Sequence, residues 1–261
     1  RDTRVCTQFA GVTGVPGSDD DHFSLPADVA VDSKDNVFVS DLANHRIQVF
    51  DLDKNLVKTL GVTLEPYATD ETYFYRPSGA AVDAAGNLFV LEKDGQRLVK
   101  VDAAGEIVWQ YGKAGLSGEA GSFLGSADAG PEGKPAVSAS GLVYFTDSPR
   151  HRVLMVKPGT TEVVQAGVTD VAGADNTHFD FPAGAAINPL NGDVYVLDRG
   201  NTRLQVYTAA LAYKDTVEAA ELCGALLEDC LPLDLAFDAA GNLYVADAGN
   251  YIVRKCTGAA P

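Results

Sequence analysis

The sequence predicts an all-β fold made of repeated four-stranded units, and two features predict it. A short motif recurs along the chain, and each copy is followed by a polar turn and a strand of alternating apolar and polar residues. The clear copies are Leu25–Asp32 (LPADVAVD), Arg76–Asp83, Phe181–Asn188 and Leu231–Asp238, and a degraded one is Pro135–Ala139. Helical periodicity is confined to Thr216–Leu227, where we expect a turn or two of helix.

The second strand of every unit ends in an acidic residue, and the spacing of these acids counts the units. They are Asp41, Glu92, Asp147, Asp198 and Asp247. The steps between them are 51, 55, 51 and 49 residues, and the step from the last acid through both termini to the first is 55. A closed ring requires such near-equal steps, so the sequence predicts five units.

Each unit continues with a third and a fourth strand, as in His45–Phe50 and Glu106–Tyr111. One four-stranded antiparallel sheet cannot bury both of its faces alone, but neighbours stacked radially can. We therefore predict a single β-propeller domain over residues 1–261, with blades at 25–60, 76–111, 134–166, 181–223 and 231–257. Only three strands follow Leu231, so the N-terminal strand Thr3–Ala10 is predicted to complete the last blade and close the ring.

Four cysteines allow three pairings, and the sequence alone does not choose among them. We favour two disulfides and a secreted or extracytoplasmic location over four reduced thiols in the cytosol. With the N-terminal strand beside the last blade, Cys6 would pair with Cys256, a closure worth about 4–5 kcal/mol in a chain-entropy model. Cys223 and Cys230 would then staple the loop that enters the fifth blade.

The charge of the chain excludes several classes of partner. There are 36 acidic and 20 basic residues, which gives a formal net charge of −16. Such a field repels phosphate, so we expect no nucleic-acid partner and no binding to anionic membranes. No run approaches the length of apolar sequence that a membrane helix needs, so we expect no membrane insertion. Because the chain starts at Arg1, we expect it to be a processed or excised piece of a larger protein or assembly.

Two stretches resemble NHL repeats, namely Leu25–Asp51 and Leu231–Lys255. The resemblance covers essentially the whole chain and implies a propeller, although NHL propellers commonly have six blades. It also implies that an Asp-x-x-Asn-x-Arg pattern joins strands within and between blades. Complete copies of the pattern are Asp41, Asn44 and Arg46, and Asp198, Asn201 and Arg203. Partial copies are Asp147 with Arg152, and Asp247 with Asn250, where Ile252 takes the arginine position. We interpret all of them as structural pairs.

The strongest candidate site is a pair of acids at the channel mouth. Asp28 and Asp234 occupy the motif position that Gly79 and Gly184 hold in other blades. Because the first and fifth blades are neighbours in a ring of five, the two carboxylates are predicted to face each other. Paired acids bind a hard cation such as Ca²⁺ or share a proton as an acid/base pair. The alternative is that both side chains point to solvent or cap a turn.

The loops between blades carry an acidic pattern with an aromatic residue three positions before a proline. The aromatic residues are Phe23, Phe74 and Phe179, which we expect to be packing anchors. The densest acidic run, Asp19–Asp21, matches no EF-hand, so a solvated turn is expected. His22 and His178 share a register in blades that are not adjacent, which disfavours a histidine metal site.

The resemblance also brings enzymes into consideration. The peptidyl-hydroxyglycine amidating lyases of this family hold zinc with histidines near the first-strand starts. Those places here hold Ala27, Asp28, Ser78, Gly79, Ala183, Gly184, Leu233 and Asp234. The missing histidines argue against that lyase. Calcium lactonases and esterases of the family line their channel with acids, and Asp28 and Asp234 resemble them in residue type and location only.

The interpretation we favour is a non-catalytic, secreted or extracytoplasmic module that resembles the sensor propellers of bacterial receptor kinases. It would bind a protein or a small extracellular ligand at Asp28 and Asp234 on its loop-bearing face. Side chains of the turns between second and third strands would add specificity, among them Asn44, Asn201, Asn250 and Tyr251. One alternative is a calcium-dependent hydrolase or lyase with Asp28 and Asp234 as metal ligands. The other is a structural module of a larger adhesion or filament protein.

Overall fold

The computed structural model describes residues 8–63, 73–112, 131, 133–223 and 230–256. Their strands form five antiparallel sheets. The first sheet contains β1 (Pro26–Val31), β2 (Val37–Asp41), β3 (Arg46–Phe50) and β4 (Leu56–Leu60). The second contains β5 (Pro77–Val82), β6 (Leu88–Glu92), β7 (Arg97–Val101) and β8 (Ile107–Gly112). The third contains β9 (Ala136–Val137), β10 (Val143–Asp147), β11 (Arg152–Val156) and β12 (Val163–Ala166).

The last two sheets follow the same order. The fourth contains β13 (Pro182–Ile187), β14 (Val194–Asp198), β15 (Arg203–Tyr207) and β16 (Tyr213–Val217). Within the described residues the fifth contains β17 (Pro232–Phe237), β18 (Leu243–Asp247) and β19 (Ile252–Cys256). One helix, α1 (Ala219–Cys223), lies within the segment where a short helix was expected. No helix in the described part of the chain is long and apolar enough to cross a membrane.

The sheets are arranged as the blades of a five-bladed β-propeller, which confirms the predicted fold. The first strands of successive blades pack against each other: β1 on β5, β5 on β9, β9 on β13 and β13 on β17. The predicted closing strand is not confirmed, because residues 8–10 have no strand conformation and residues 3–7 lie outside the described part of the chain.

Apolar clusters fill the spaces between consecutive blades. Between the first two blades, Ile47 and Val49 pack with Val90 and Val99, all of them buried. Further clusters join the second blade to the third, the third to the fourth and the fourth to the fifth. The expected aromatic anchors belong to this packing. Phe74 and Phe179 are buried members of two clusters, and the Phe23 ring lies 6.0 Å from that of Phe50.

Each second-strand acid forms an ion pair with an arginine of the third strand. Asp41 bonds Arg46 Nε at 2.9 Å, and both side chains are buried. Equivalent pairs are Glu92–Arg97, Asp147–Arg152 and Asp198–Arg203. The remaining N–H groups of Arg46 donate to carbonyl oxygens of the loop before β1, at Ser18, Asp19 and His22. The network therefore fixes the loops around the end of the channel where the first strands begin.

Candidate functional site

Four of the five first strands carry a bulge near their start, which sets the direction of one side chain in each of those blades. The register of β1 against β2 shifts between Pro26 and Asp28, and the same shift occurs in β5, β13 and β17. The residue after the bulge is Asp28 in the first blade and Asp234 in the fifth. A Cβ atom at Gly79 would clash with the carbonyl oxygen of Gly133, so this position faces the next first strand.

The equivalent position of the third blade is Lys134. It lies thirteen residues before the second-strand acid Asp147, the same interval that separates Asp28 from Asp41 and Asp234 from Asp247. The repeated motif does not reveal this lysine, because the motif of the third blade is degraded and its first strand is reduced to two residues. Counting back from the acid instead of reading the motif finds this lysine.

Lys134 connects the two predicted acids. Its Nζ donates to the carbonyl oxygen of Val29 at 2.8 Å and lies 3.7 Å from Asp28 Oδ1. The other carboxylate oxygen of Asp28 accepts a hydrogen bond from the Ala80 N–H at 2.7 Å. Asp234 Oδ1 lies 3.4 Å from the place where a Cβ of Gly184 would sit. Asp28 therefore points toward the second blade and Asp234 toward the fourth. The positive charge of Lys134 acts on both carboxyls.

Burial dominates the electrostatics of both carboxyls. Desolvation raises the pKa of Asp28, although Lys134 and the Ala80 N–H favour its ionised form. Desolvation likewise raises the pKa of Asp234, against a weaker lowering by its backbone hydrogen bond and by Lys134. Each carboxyl therefore keeps its proton to a higher pH than an exposed aspartate does. Such groups are suited to proton transfer.

The site opens into a cavity of about 260 Å³ in the central channel. All five blades contribute to its wall, and each contributes an alanine: Ala30, Ala81, Ala136, Ala186 and Ala236. The polar side chains that line it are Lys134 and Asp234. The channel is therefore narrow and apolar, with an ammonium and a carboxyl group at one end.

A family model for the NHL repeat matches residues 23–50 and 179–207. Together with the propeller fold, these matches confirm the resemblance seen in the sequence. The chain is a five-bladed β-propeller that contains two NHL repeats.

Among curated proteins, this NHL propeller is similar to two amidating enzymes. It is 25% identical over 144 residues to a probable peptidyl-alpha-hydroxyglycine alpha-amidating lyase of Caenorhabditis elegans, covering 54% of this chain and 39% of that protein. It is 25% identical over 240 residues to peptidyl-glycine alpha-amidating monooxygenase B of Xenopus laevis, covering 89% of this chain and 26% of that protein. The chain thus spans well under half the length of either relative.

Solved structures give the same fold. A streptogramin B lyase superposes with a TM-score of 0.63 at 14% identity, over 92% of this chain and 70% of that one. A gluconolactonase from Xanthomonas campestris superposes with a TM-score of 0.62 at 19% identity, over 85% and 70%. The two curated relatives are named as amidating enzymes, which favours the lyase or hydrolase alternative over the non-catalytic module.

The channel of the NHL propeller does not fit the predicted calcium ion. Calcium takes six to eight oxygen ligands, whereas here the ammonium of Lys134 already lies beside Asp28. Among the described residues, no group of three or more His, Cys, Asp or Glu side chains is placed to hold a metal ion.

The histidines are engaged elsewhere. His22 and His178 pair with Asp19 and Asp175 in exposed loops, at 2.5 and 2.8 Å. His45 and His151 each accept a backbone N–H from the entrance of the next blade, at Arg76 and Phe181. None of them lines the channel cavity.

The predicted specificity residues of the NHL propeller divide into two kinds. Asn44, Asn201 and Asn250 bond the second-strand acids of their own blades at 2.7 to 2.9 Å. Asn44 and Asn201 also donate to the preceding loop, at Gly17 and Gly173. These amides have the joining role that the family pattern implies. Tyr251, in contrast, is 93% exposed.

One of the two predicted disulfides is present, between Cys223 and Cys230. Cys256 lies on β19 and is half-buried, with no disulfide partner in the described part of the chain. Its predicted partner Cys6 lies outside the described residues, so that pairing stays a prediction.

Proposed function

We propose that this NHL propeller is an extracytoplasmic enzyme of the lyase or hydrolase class that cleaves a small molecule at the end of its channel. The observation that carries the proposal is the placement of Lys134 and Asp234 on one cavity, with Asp28 beside the lysine. The relatives named as lyases and as a gluconolactonase support the class. The Cys223–Cys230 disulfide supports the location.

Asp234 has the proton-transfer role because its carboxyl lines the cavity. A carboxyl whose pKa is raised toward the working pH is an effective general base when ionised and an effective general acid when protonated. In the proposed reaction, the carboxylate takes the proton from an attacking water or from a hydroxyl group of the substrate. It then returns that proton to the leaving group.

Lys134 stabilises the negative charge that develops as the bond breaks. A fixed cationic donor is worth most when it is held before the reaction starts, and the Val29 carbonyl and Asp28 hold this one. Asp28 does not line the cavity. It is therefore a positioning residue, oriented by the Ala80 N–H.

The cavity restricts the substrate. Its volume of about 260 Å³ lies below the ~300–1,000 Å³ of pockets for drug-sized ligands. The ring of alanines and the overall charge of −16 disfavour large or strongly anionic molecules. A small neutral lactone or ester, or the reacting end of a peptide, fits best.

The test is turnover of a panel of small lactones, esters and an α-hydroxyglycine peptide. Asp234→Asn and Lys134→Met are each expected to lower kcat by on the order of 10²–10⁴-fold. Asp28→Asn is expected to lower kcat by a smaller factor, because Asp28 acts only by positioning Lys134. The matched control is Asp20→Asn, an exposed acid in a loop at the same end of the propeller.

Melting temperatures verify that each variant is folded. Full activity in Asp234→Asn would overturn the assignment. So would activity that a chelator abolishes and Asp234→Asn does not. A folded protein that turns over no member of the panel but binds a protein on its loop face would favour the non-catalytic module instead.

A further inference from the structure

A second cleft lies at the rim of the propeller, between the outer strands of the second and third blades. It has a volume of about 690 Å³. One wall is β8, where Trp109 and Tyr111 alternate with Gln110 and therefore share a face. Both aromatic side chains are half-buried and pack on the cluster that joins the two blades. The other wall is the third blade, from β11 to the turn after β12.

The aromatic pair distinguishes this boundary from the others. In the register of the blades, Trp109 corresponds to Lys58 of β4 and Tyr111 to Leu60. Lys58 reaches across to the Ala104 carbonyl of the next blade, so that boundary is bridged by a side chain. The corresponding residues of β12 are Val164 and Ala166, and those of β16 are Asp215 and Val217. Within the described strands, β8 alone has an aromatic pair at these positions.

The charges of the opposite wall are already compensated. Arg150 forms two hydrogen bonds with the Asp170 carboxylate, at 3.0 Å each. Arg152 bonds Asp147 at 2.7 Å and Gln165 Oε1 at 3.1 Å. An anionic ligand would have to displace these carboxylates, so the cleft does not favour one. Thr161 and Glu162 line the cleft at exposed positions and offer a hydroxyl and a carboxylate to a ligand.

We infer that this cleft is a binding site for a neutral carbohydrate, stacked on Trp109 and Tyr111. The C–H faces of a pyranose ring are apolar and fit aromatic faces. Its hydroxyl groups both donate and accept, which matches the Thr161 hydroxyl and the Glu162 carboxylate. The cleft is remote from the channel residues that carry the proposed function. Carbohydrate binding here therefore does not depend on the proposed enzymatic activity.

Trp109 provides the readout, because it is the chain's single tryptophan. Tryptophan-selective excitation therefore reports on this cleft alone. The protein is titrated with maltotriose, cellotriose and chitotriose, and separately with a proline-rich peptide that lacks aromatic residues. We expect a saturable change of emission with at least one trisaccharide and none with the peptide.

Variants assign the binding to the cleft. Tyr111→Ala is expected to weaken binding about tenfold, because it removes one of the two aromatic faces on which the sugar ring stacks. Trp109→Phe removes the emission, so its affinity is measured by calorimetry. The control is Tyr251→Ala, an exposed tyrosine on the fifth blade. A titration with no saturable change up to millimolar trisaccharide would overturn the inference. So would binding that Tyr111→Ala leaves unaltered while the variant is folded, or binding of the peptide instead.

Discussion

Lys134 and Asp28 form an ion pair that joins the third blade to the first. The Nζ atom lies 3.7 Å from Oδ1, and it also donates to the Val29 carbonyl at 2.8 Å. Both residues occupy the same position of their repeats, so the channel mouth is built from equivalent sites that carry opposite charges. One lysine thereby compensates part of the charge of two buried carboxyls, Asp28 and Asp234.

The first prediction concerns this lysine and pH. Lys134→Met removes an influence that lowers the pKa of Asp28 and of Asp234, so both pKa values rise further above their ordinary value. A raised carboxyl pKa favours the folded state at low pH, and this stabilisation is lost as pH rises through the folded pKa. The variant should therefore melt below wild type at neutral pH, by roughly 2–4 °C per kcal/mol lost in a domain of this size. The deficit should shrink as the pH falls.

Thermal melts across the pH range measure this dependence. The double variant Asp28→Asn with Lys134→Met removes one of the two carboxyls and should recover part of the loss at neutral pH. A deficit that is the same at every pH would show that Lys134 acts by packing and not by charge.

The second prediction concerns a buried pair and an exposed one. Arg46→Met leaves the Asp41 carboxylate buried without its guanidinium, and also frees the carbonyls of the loop before β1. Breaking a buried pair by removing one partner costs about 3–5 kcal/mol. Arg150→Met is the matched control, because the side chain of its partner Asp170 is 61% exposed, and such pairs are worth about 0–1 kcal/mol. Denaturant unfolding measures both, and equal losses would contradict the structural role of the buried network.

The repeats allowed much of this fold to be predicted, because strand alternation and the second-strand acids are local features of the sequence. The four steps between Asp41 and Asp247, with a fifth through the termini, predicted the number of blades, and the aromatic anchors Phe74 and Phe179 were found from their spacing to proline. The pairing of Cys223 with Cys230 was predicted as the complement of the pair Cys6–Cys256, and it is present. The closing strand stays a prediction, because most of it lies outside the described residues.

The candidate site was predicted in part. Asp28 and Asp234 stood out because they replace glycines in a repeated motif. Lys134 did not, because the third blade keeps the position but has lost the motif around it. Burial raises the pKa of both aspartates, and it depends on the folded channel, so the sequence does not show it. An enzymatic function was therefore only an alternative at the level of the sequence. Asn44 and Asn201 were predicted both to join blades and to add specificity. Their amides hold loops in place, and a role in ligand binding stays a prediction.

The third prediction concerns Glu92, the glutamate among the second-strand acids. Its side chain is fully buried, Oε2 bonds Arg97 at 3.0 Å, and Oε1 has no hydrogen-bond partner in the described structure. Burial raises its pKa from 4.5 to about 7, despite the attraction of Arg97. Wild type should therefore lose stability as the pH rises from about 4.5 through 7. Glu92→Gln removes this dependence.

Denaturant unfolding at several pH values measures the difference. The free energy of unfolding of the Glu92→Gln variant should increase relative to that of wild type as the pH rises. The exposed Asp53→Asn control should keep the same pH dependence as wild type. If the variant instead becomes less stable relative to wild type with rising pH, Glu92 is ionised in the folded state and stabilised by Arg97.

The fourth prediction concerns the fifth blade, where Ile252 stands in place of the usual arginine. Arg254, two residues later on the same face of β19, bonds Asp247 through Nε at 2.9 Å and Nη2 at 2.6 Å. Burial tends to raise the pKa of Asp247, but the Leu231 N–H and Arg254 outweigh it and lower the value to about 2. A lowered pKa stabilises the fold above the unfolded value of 3.8, and this stabilisation is lost as pH falls toward 2.

Arg254→Met should therefore destabilise the protein by about 3 kcal/mol at neutral pH, and the deficit should shrink in acid. Lys255→Met, on the opposite face of the same strand, is the control and should cost little. The double variant Ile252→Arg with Arg254→Met moves the guanidinium to the position that it has in the other blades. It should recover most of the stability in denaturant unfolding, because Asp247 again gains a partner five residues later, as Asp41 has in Arg46. If it recovers none, the fifth blade requires its arginine at position 254, and position 252 is not equivalent to the arginine position of the other blades.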